Sequence, residues 1–268
     1  MRSTKCPLSD EIEVSRNLPW KDPSVEALTP KERAGLGVYW QDRARAELRV
    51  SHAFHVLGEE LAATGVSEVV RDLVRRTIED EKRHSGLCLR LSERYSGLPA
   101  LAPLVPPESL PAFEGAPPEL RVALHVMGLS CINETIAVSW LKGCLDGASA
   151  PLARAATRVH FREEIDHARL GWAHLASRHV SEATRRGLGL WLVRLLRANV
   201  PQWFRPDASL PPEGVPAHGA PSLTNTCALA LEAVREVVLP GLATVGVDPA
   251  AGYAWLALVD PTVPQTTA

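Results

Sequence analysis

Two stretches of this chain place a glutamate three residues before a histidine: Glu81-Lys82-Arg83-His84 and Glu164-Ile165-Asp166-His167. On a helix, side chains three apart lie on one face, one turn apart, so each pair can grip a single metal ion. Such pairs also arise by chance, and their setting is what gives these two weight. Each lies in mid-helix, in a different half of the chain. Each follows a long helical stretch that carries a glutamate among apolar or small residues. In the second half that glutamate is Glu134, in SCINETIAVSW, the only acidic residue between Glu119 and Asp146. A lone carboxylate there is costly to bury unless it is paired, protonated or bound to metal. In the first half the choice is among Glu47, Glu59 and Glu60. Two residues of an antiparallel hairpin meet only if they are equally far from the turn. Glu47 lies 18 residues before Gly65 and Glu81 lies 16 after it; Glu134 lies 13 before Gly147 and Glu164 lies 17 after it. Glu47 is therefore the better partner.

A third histidine belongs to the second motif. In HFREEIDHARL, His160 precedes Glu164 by four and His167 by seven. At about 100° per residue, offsets of four and seven return to nearly the same direction. His160, Glu164 and His167 thus share one stripe, and Arg162, Glu163 and Asp166 are expected on the solvated face. His160 can bind a metal directly or hydrogen-bond a ligand carboxylate.

These residues need long helices to hold them, and the chain supplies four. Thr29 followed by Pro30 and Glu32 is a capping-box start, and the first helix is expected from Pro30 to Ala63. Ser67 caps a second, which ends near Gly97. Residues 98–118 are rich in proline and form a long connection of the kind that crosses from one end of a bundle to the other. The third helix covers ELRVALHVMGLSCINETIAVSWLKGCL. The fourth runs from Pro151 to about Arg178 with Ser149 as its cap. Further helices are expected at 181–199, 222–238 and 249–258, with a second proline-rich segment at 200–221. No stretch alternates with period two, so the chain reads as all-α. An irregular lead-in, 1–28, precedes a single domain, 29–268, made of a core bundle at 29–179 and a C-terminal helical extension at 180–268.

The bulk composition narrows the partners. A formal net charge of −2 gives no reason to expect nucleic acid or an anionic membrane. No membrane span and no signal peptide are expected, which points to the cytoplasm. The five scattered cysteines fit reduced thiols, without the spacing of a thiolate zinc site. Carboxylates with imidazoles suit iron or manganese. A substrate pocket is expected among Phe54, Met127, Ser130, Ile132 and Phe161.

Glu47, Glu81-x-x-His84, Glu134 and Glu164-x-x-His167 together resemble the ligand set of the ferritin-like di-iron carboxylate proteins, a four-helix bundle class. The stripe His160-x-x-x-Glu164-x-x-His167 is similar to that of the arylamine N-oxygenases, whose fourth helix carries an additional histidine. The segment LPWKDPSVEALTPKERAGL…AELRVSHAF also loosely resembles that family. The resemblance implies a ferritin-like bundle, two iron ions with manganese as the alternative, and seven ligands: Glu47, Glu81, His84, Glu134, His160, Glu164 and His167. It implies an O2-dependent monooxygenase acting on a small organic substrate, such as an aromatic amine in a biosynthetic pathway. Nothing in the chain binds flavin or nicotinamide, so an external electron donor or reductase is implied, and a homodimer is left open. The alternatives are a ferroxidase or iron-storage protein, which needs a shell, and a ferritin-like protein without oxygenase activity. A radical-generating reductase subunit is disfavoured, because Cys88 stands where that family has its tyrosine.

Overall fold

The computed structural model describes residues 17–106 and 109–260; Cys6 and the first part of the expected lead-in lie outside the described residues. The described residues form helices and no strand; one isolated bridge joins Val215 and Ala220. The lead-in is not wholly irregular. Pro23–Glu26 makes a short helix, α1, capped by Asp22. Four long helical stretches follow: α2 (Pro30–Ala63), α3 (Glu68–Ser96), α4 (Pro118–Val126) continued by α5 (Thr135–Gly147), and α6 (Pro151–Ala176). The C-terminal part holds α7 (Glu182–Asn199), α8 (Leu223–Ala233), α9 (Leu239–Thr244) and α10 (Ala250–Val259).

Local chemistry accounts for most of the ends. Thr29 and Glu32 exchange reciprocal bonds at the start of α2, and Ser67, Ser181 and Ser222 cap α3, α7 and α8. The start of α6 differs from the sequence expectation. Its cap residue is Ala150, which offers no side-chain bond, and Ser149 does not serve. Asp22 reaches across from the lead-in instead and accepts the Leu152 N–H at 2.8 Å. A cap supplied from 130 residues away pins the lead-in to the bundle.

The register of α2 against α3 is set by three buried serines. Ser92 donates to the carbonyl of Gly37, Ser85 to Ala44 and Ser51 to Ile78, at 2.7, 2.8 and 3.1 Å. The two residue numbers add to the same total in every pair, so the helices run antiparallel without slippage. The pairs recur every seven residues, the repeat of a closely packed helix seam. The proline-rich connection then behaves as the expected crossover. Gln41 holds the carbonyl of Leu101, and His125, paired with Glu60, donates to the carbonyl of Pro111. The connection therefore travels from the level of Gln41 to that of Glu60, about 28 Å along α2. The second hairpin consequently enters from the turn end of the first, and α3 and α6 pack face to face.

The third helix is not the uniform α-helix that its sequence suggests. Met127–Glu134 is π-helical, a wide turn that ends on Glu134. A second π turn, Val234–Val238, carries the chain from α8 into α9, past the expected end at 238. The run Pro118–Gly147 is long and apolar enough by composition to cross a membrane, with mean hydropathy 1.4 over its best window. Inside the fold 72% of that window is buried. Helices α7 and α8 supply part of that cover, packing on α4 and α5 respectively.

The core falls into two apolar clusters. One gathers Phe54, Leu57, Leu61, Leu73, Ile132 and Leu170 with the C-terminal helices. The other gathers Leu36, Trp40, Leu91, Tyr95, Leu152 and Ala156. Along α2, α3 and α6 the clusters leave a middle belt, and the buried charged residues occupy it. Close approach of α6 to the π turn depends on Gly171, where a Cβ would lie 2.7 Å from Cys131 Sγ and 2.7 Å from Ser130 Cβ. Gly171→Ala should cost about 1–3 kcal/mol of stability by overpacking. Gly86→Ala, whose Cβ meets nothing within 4 Å, should instead gain about 0.5–1 kcal/mol. Thermal melts of the two variants check the contrast, and equal effects would refute the packing argument.

Candidate metal centre

The middle belt brings together the side chains chosen from sequence. Donor atoms of Glu47, Glu81, His84 and Glu164 lie within 4.8 Å of one another, and so do those of Glu81, Glu134, Glu164 and His167. Glu81 and Glu164 belong to both groups. The arrangement is two adjacent four-donor positions joined by two carboxylates, with one glutamate and one histidine private to each. Glu81, His84, Glu134, His160, Glu164 and His167 are all buried, none more than 4% exposed.

Hydrogen bonding leaves these groups unsatisfied in a specific way. Neither carboxylate oxygen of Glu81 has a hydrogen-bond partner, and neither has Nδ1 of His84. A fully buried carboxylate without a donor costs several kcal/mol, roughly, unless a cation completes it. The histidines are turned to suit such a cation. His84 Nε2 faces Glu163 Oε2 at 2.8 Å, and His167 Nε2 faces Asp80 Oδ2 at 3.3 Å. A carboxylate only accepts, so each Nε2 carries a proton and each Nδ1 is the nitrogen turned inward, available to a metal once any proton it carries is lost. His167 Nδ1 lies 2.9 Å from Glu81 and 2.8 Å from Glu164, and His84 Nδ1 lies 3.6 and 3.4 Å from the same two residues. Carboxylate and imidazole donors of this kind fit iron, manganese or another divalent first-row ion.

Glu163 was expected on the solvated face, and that expectation fails. Its carboxylate is only partly exposed and reaches across to α3, where it binds both His84 and Arg83. Asp80, which sequence reasoning passed over, does the same for His167 and also pairs with Arg83. The support is crossed: the acid beside each motif glutamate orients the histidine of the opposite helix. A sequence signal existed, since an acidic residue directly precedes the glutamate in both motifs (Asp80-Glu81 and Glu163-Glu164).

His160 is fully buried and lies against His84, with ring centroids 4.3 Å apart and the rings tilted 58° to each other. It groups with Glu47 and Cys88, on the His84 side of the site and away from Glu134. Its Nδ1 meets Arg43 at 3.2 Å, and its Nε2 has no partner. Among the residues expected to line a substrate pocket, the Phe54 ring lies 6.3 Å from that of His167, and Met127 and Ile132 are fully buried. The Ser130 hydroxyl is already used: it donates to the carbonyl of His167 and accepts from the N–H of Gly171. Phe161 is half-buried on the flank of α6. A cavity lined by Gly147, Pro216, Pro221, Asn225 and Glu232 lies at the turn end of the second hairpin, and none of the candidate ligands lines it.

Burial and mutual charge set the protonation of the metal-free site. Burial drives Glu134 well above the usual carboxylate range, with the charges of Glu164 and Glu81 adding to it. Burial pushes Glu47 up to about 7 although Arg43 opposes the shift. Glu164 goes the other way, because His167 and His84 outweigh its burial. His84 and His167 are raised well above 6.5, burial being overcome by the surrounding carboxylates, whereas burial and the charges of His84 and Arg43 lower His160.

Two outcomes follow from this geometry. Above pH 6.5 the unfolded chain releases the protons of His84, His167 and Glu47 that the fold retains, so the folded state binds more protons. Stability of the metal-free protein should therefore fall as pH rises from about 6.5 through about 7 and beyond. His160, His174 and His218, kept neutral by burial, oppose the decline only near pH 6.5, where unfolded imidazoles are still part-protonated, and add nothing above that. Thermal melts without metal check this, and a melting temperature that climbs over the window would refute it. Metal needs the deprotonated ligands, so saturating Mn2+ should remove the decline. Asp80→Asn and Glu163→Gln should each weaken metal binding about 10–100-fold by freeing a histidine to rotate. Equilibrium dialysis measures the loss, and wild-type affinity in both variants would show the crossed pairs to be incidental. No protein-family model and no curated protein matches this chain, so the reading of the site rests on its own residues.

Proposed function

We propose that the chain is a ferritin-like di-iron protein, and that it is a monooxygenase using O2 on a small organic substrate, with N-oxygenation of an aromatic amine as the favoured reaction. One observation carries the reading. Glu81 is fully buried with neither oxygen hydrogen-bonded, faced by the imidazoles of His167 and His84, at the position shared by two groups of carboxylate and imidazole donors. A carboxylate so placed could serve as a ligand in both groups.

Glu47 and His84 would hold one ion, Glu134 and His167 the other, and Glu81 and Glu164 both. Two bound iron ions supply the redox chemistry toward O2. The chain's own contribution is support. Asp80 and Glu163 fix the two imidazoles with Nδ1 inward. Glu134, kept protonated by burial, would have to give up its proton to serve as a ligand. Phe54, beside His167 and packed in the same apolar cluster as Met127 and Ile132, would help keep water from the centre. Such a reaction would draw its electrons from an external donor. A cytoplasmic setting suits the reduced thiols Cys88, Cys131 and Cys144, which are buried and unbridged.

The test is anaerobic loading of the full chain with Fe2+, followed by metal analysis, then O2 with a reductant and a panel of aromatic amines. Two iron ions per chain and formation of hydroxylamine or nitro product are expected. Fewer than two ions per chain would remove the reading. Two ions, no organic product and a shell-sized particle on size-exclusion chromatography would move it to iron storage.

A further inference from the structure

The two metal positions are not equivalent, and the difference is one arginine. Arg43 lies one turn before Glu47 on α2, with both side chains nearly buried at 11% and 12% exposure. Its Nη2 is 3.0 Å from Glu47 Oε1 and 3.2 Å from His160 Nδ1. The guanidinium is held between two indoles, 5.1 Å from the centre of the Trp40 ring and 4.7 Å from that of Trp140. Trp140 is itself fixed by a bond from its Nε1 to Thr226 on α8. Arginine stays charged and only donates. Glu47 therefore already has a cation, and that cation stands between Glu47 and His160. His160 accepts on Nδ1, so its remaining proton is on Nε2 and neither nitrogen is free for a metal while Arg43 stays.

The other position has no such resident. The donors that group with Glu134 are Glu81, Glu164 and His167, and among the described residues no arginine or lysine is ion-paired with it as Arg43 is with Glu47. A guanidinium tethered to α2 and clamped between Trp40 and Trp140 cannot leave when a metal arrives.

Resting on the di-metal reading above, we infer that Arg43 is a resident counter-cation that sets the order of metal loading. The Glu81–Glu134–Glu164–His167 position fills first and tightly. The Glu47–Glu81–His84–Glu164 position fills second and more weakly, against the guanidinium, and His160 stays outside the coordination sphere while Arg43 is in place.

The experiment titrates the metal-free full chain with Mn2+, following free ion by its EPR signal. Wild type should show two classes of site separated by about tenfold or more. Two neighbouring dications repel each other in any case, so the variants carry the decision. Arg43→Met should tighten the weak class by about tenfold and leave the tight class unchanged, and Arg43→Lys, which keeps the charge, should leave the weak class weak. Glu134→Gln should abolish the tight class, and Glu47→Gln the weak one. An unchanged ratio in Arg43→Met, or loss of the tight class in Glu47→Gln, overturns the inference while leaving the di-metal reading intact. Should Arg43→Met fail to fold by circular dichroism, the two glutamine variants still decide the order. Absence of Mn2+ binding in wild type overturns both this inference and the proposed function.

Discussion

Glu81 is fully buried, with neither oxygen hydrogen-bonded and only the imidazoles of His167 and His84 facing it, and the rest of the bundle is organised around that fact. A carboxylate in such a place needs positive charge, and the fold delivers it from α6 as inward-turned imidazole. The arrangement works only if α2, α3, the π turn and α6 meet at one level. The serine bonds that recur along α2 and α3 fix that level for the first hairpin, and the crossover carries the second hairpin in from the correct end. Apolar clusters above and below seal the belt, which raises the cost of any uncompensated charge inside it and so sharpens the demand for a cation.

The two halves of the site are related but not alike. In both, an acid next to the motif glutamate crosses to the facing helix and orients a histidine, and Arg83 ties the two acids together. The first-helix glutamate of one half is paired with an arginine clamped between tryptophans. Its counterpart in the other half is the last residue of a π turn. Wide turns of this kind occur at functional sites because they change the direction of a side chain within an otherwise continuous helix. Here the π turn presents Glu134 to the site, and Gly171 lets α6 lie close against it.

The sequence alone determined what depends on neighbours along the chain. Capping residues, prolines and apolar periodicity act over a few residues, so the long helices, the crossover segment and the all-α class were legible. The spacing of Glu81 with His84 and of Glu164 with His167 is equally local, and counting from the two turns sufficed to select Glu47 over Glu59 and Glu60. What lies across from a residue is a different matter. Helical phase put Glu163 on the outer face, but the outer face of α6 at that point is the flank of α3, and its carboxylate meets His84. Phase likewise put His160 on the ligand stripe without showing that Arg43 reaches it first. The cap of α6 comes from Asp22, and the π turn interrupts a stretch whose composition is ordinary helix. Only the tertiary structure decided these, because each is settled by a partner far away in sequence, and the energy that selects it appears only when two helices have been brought into contact.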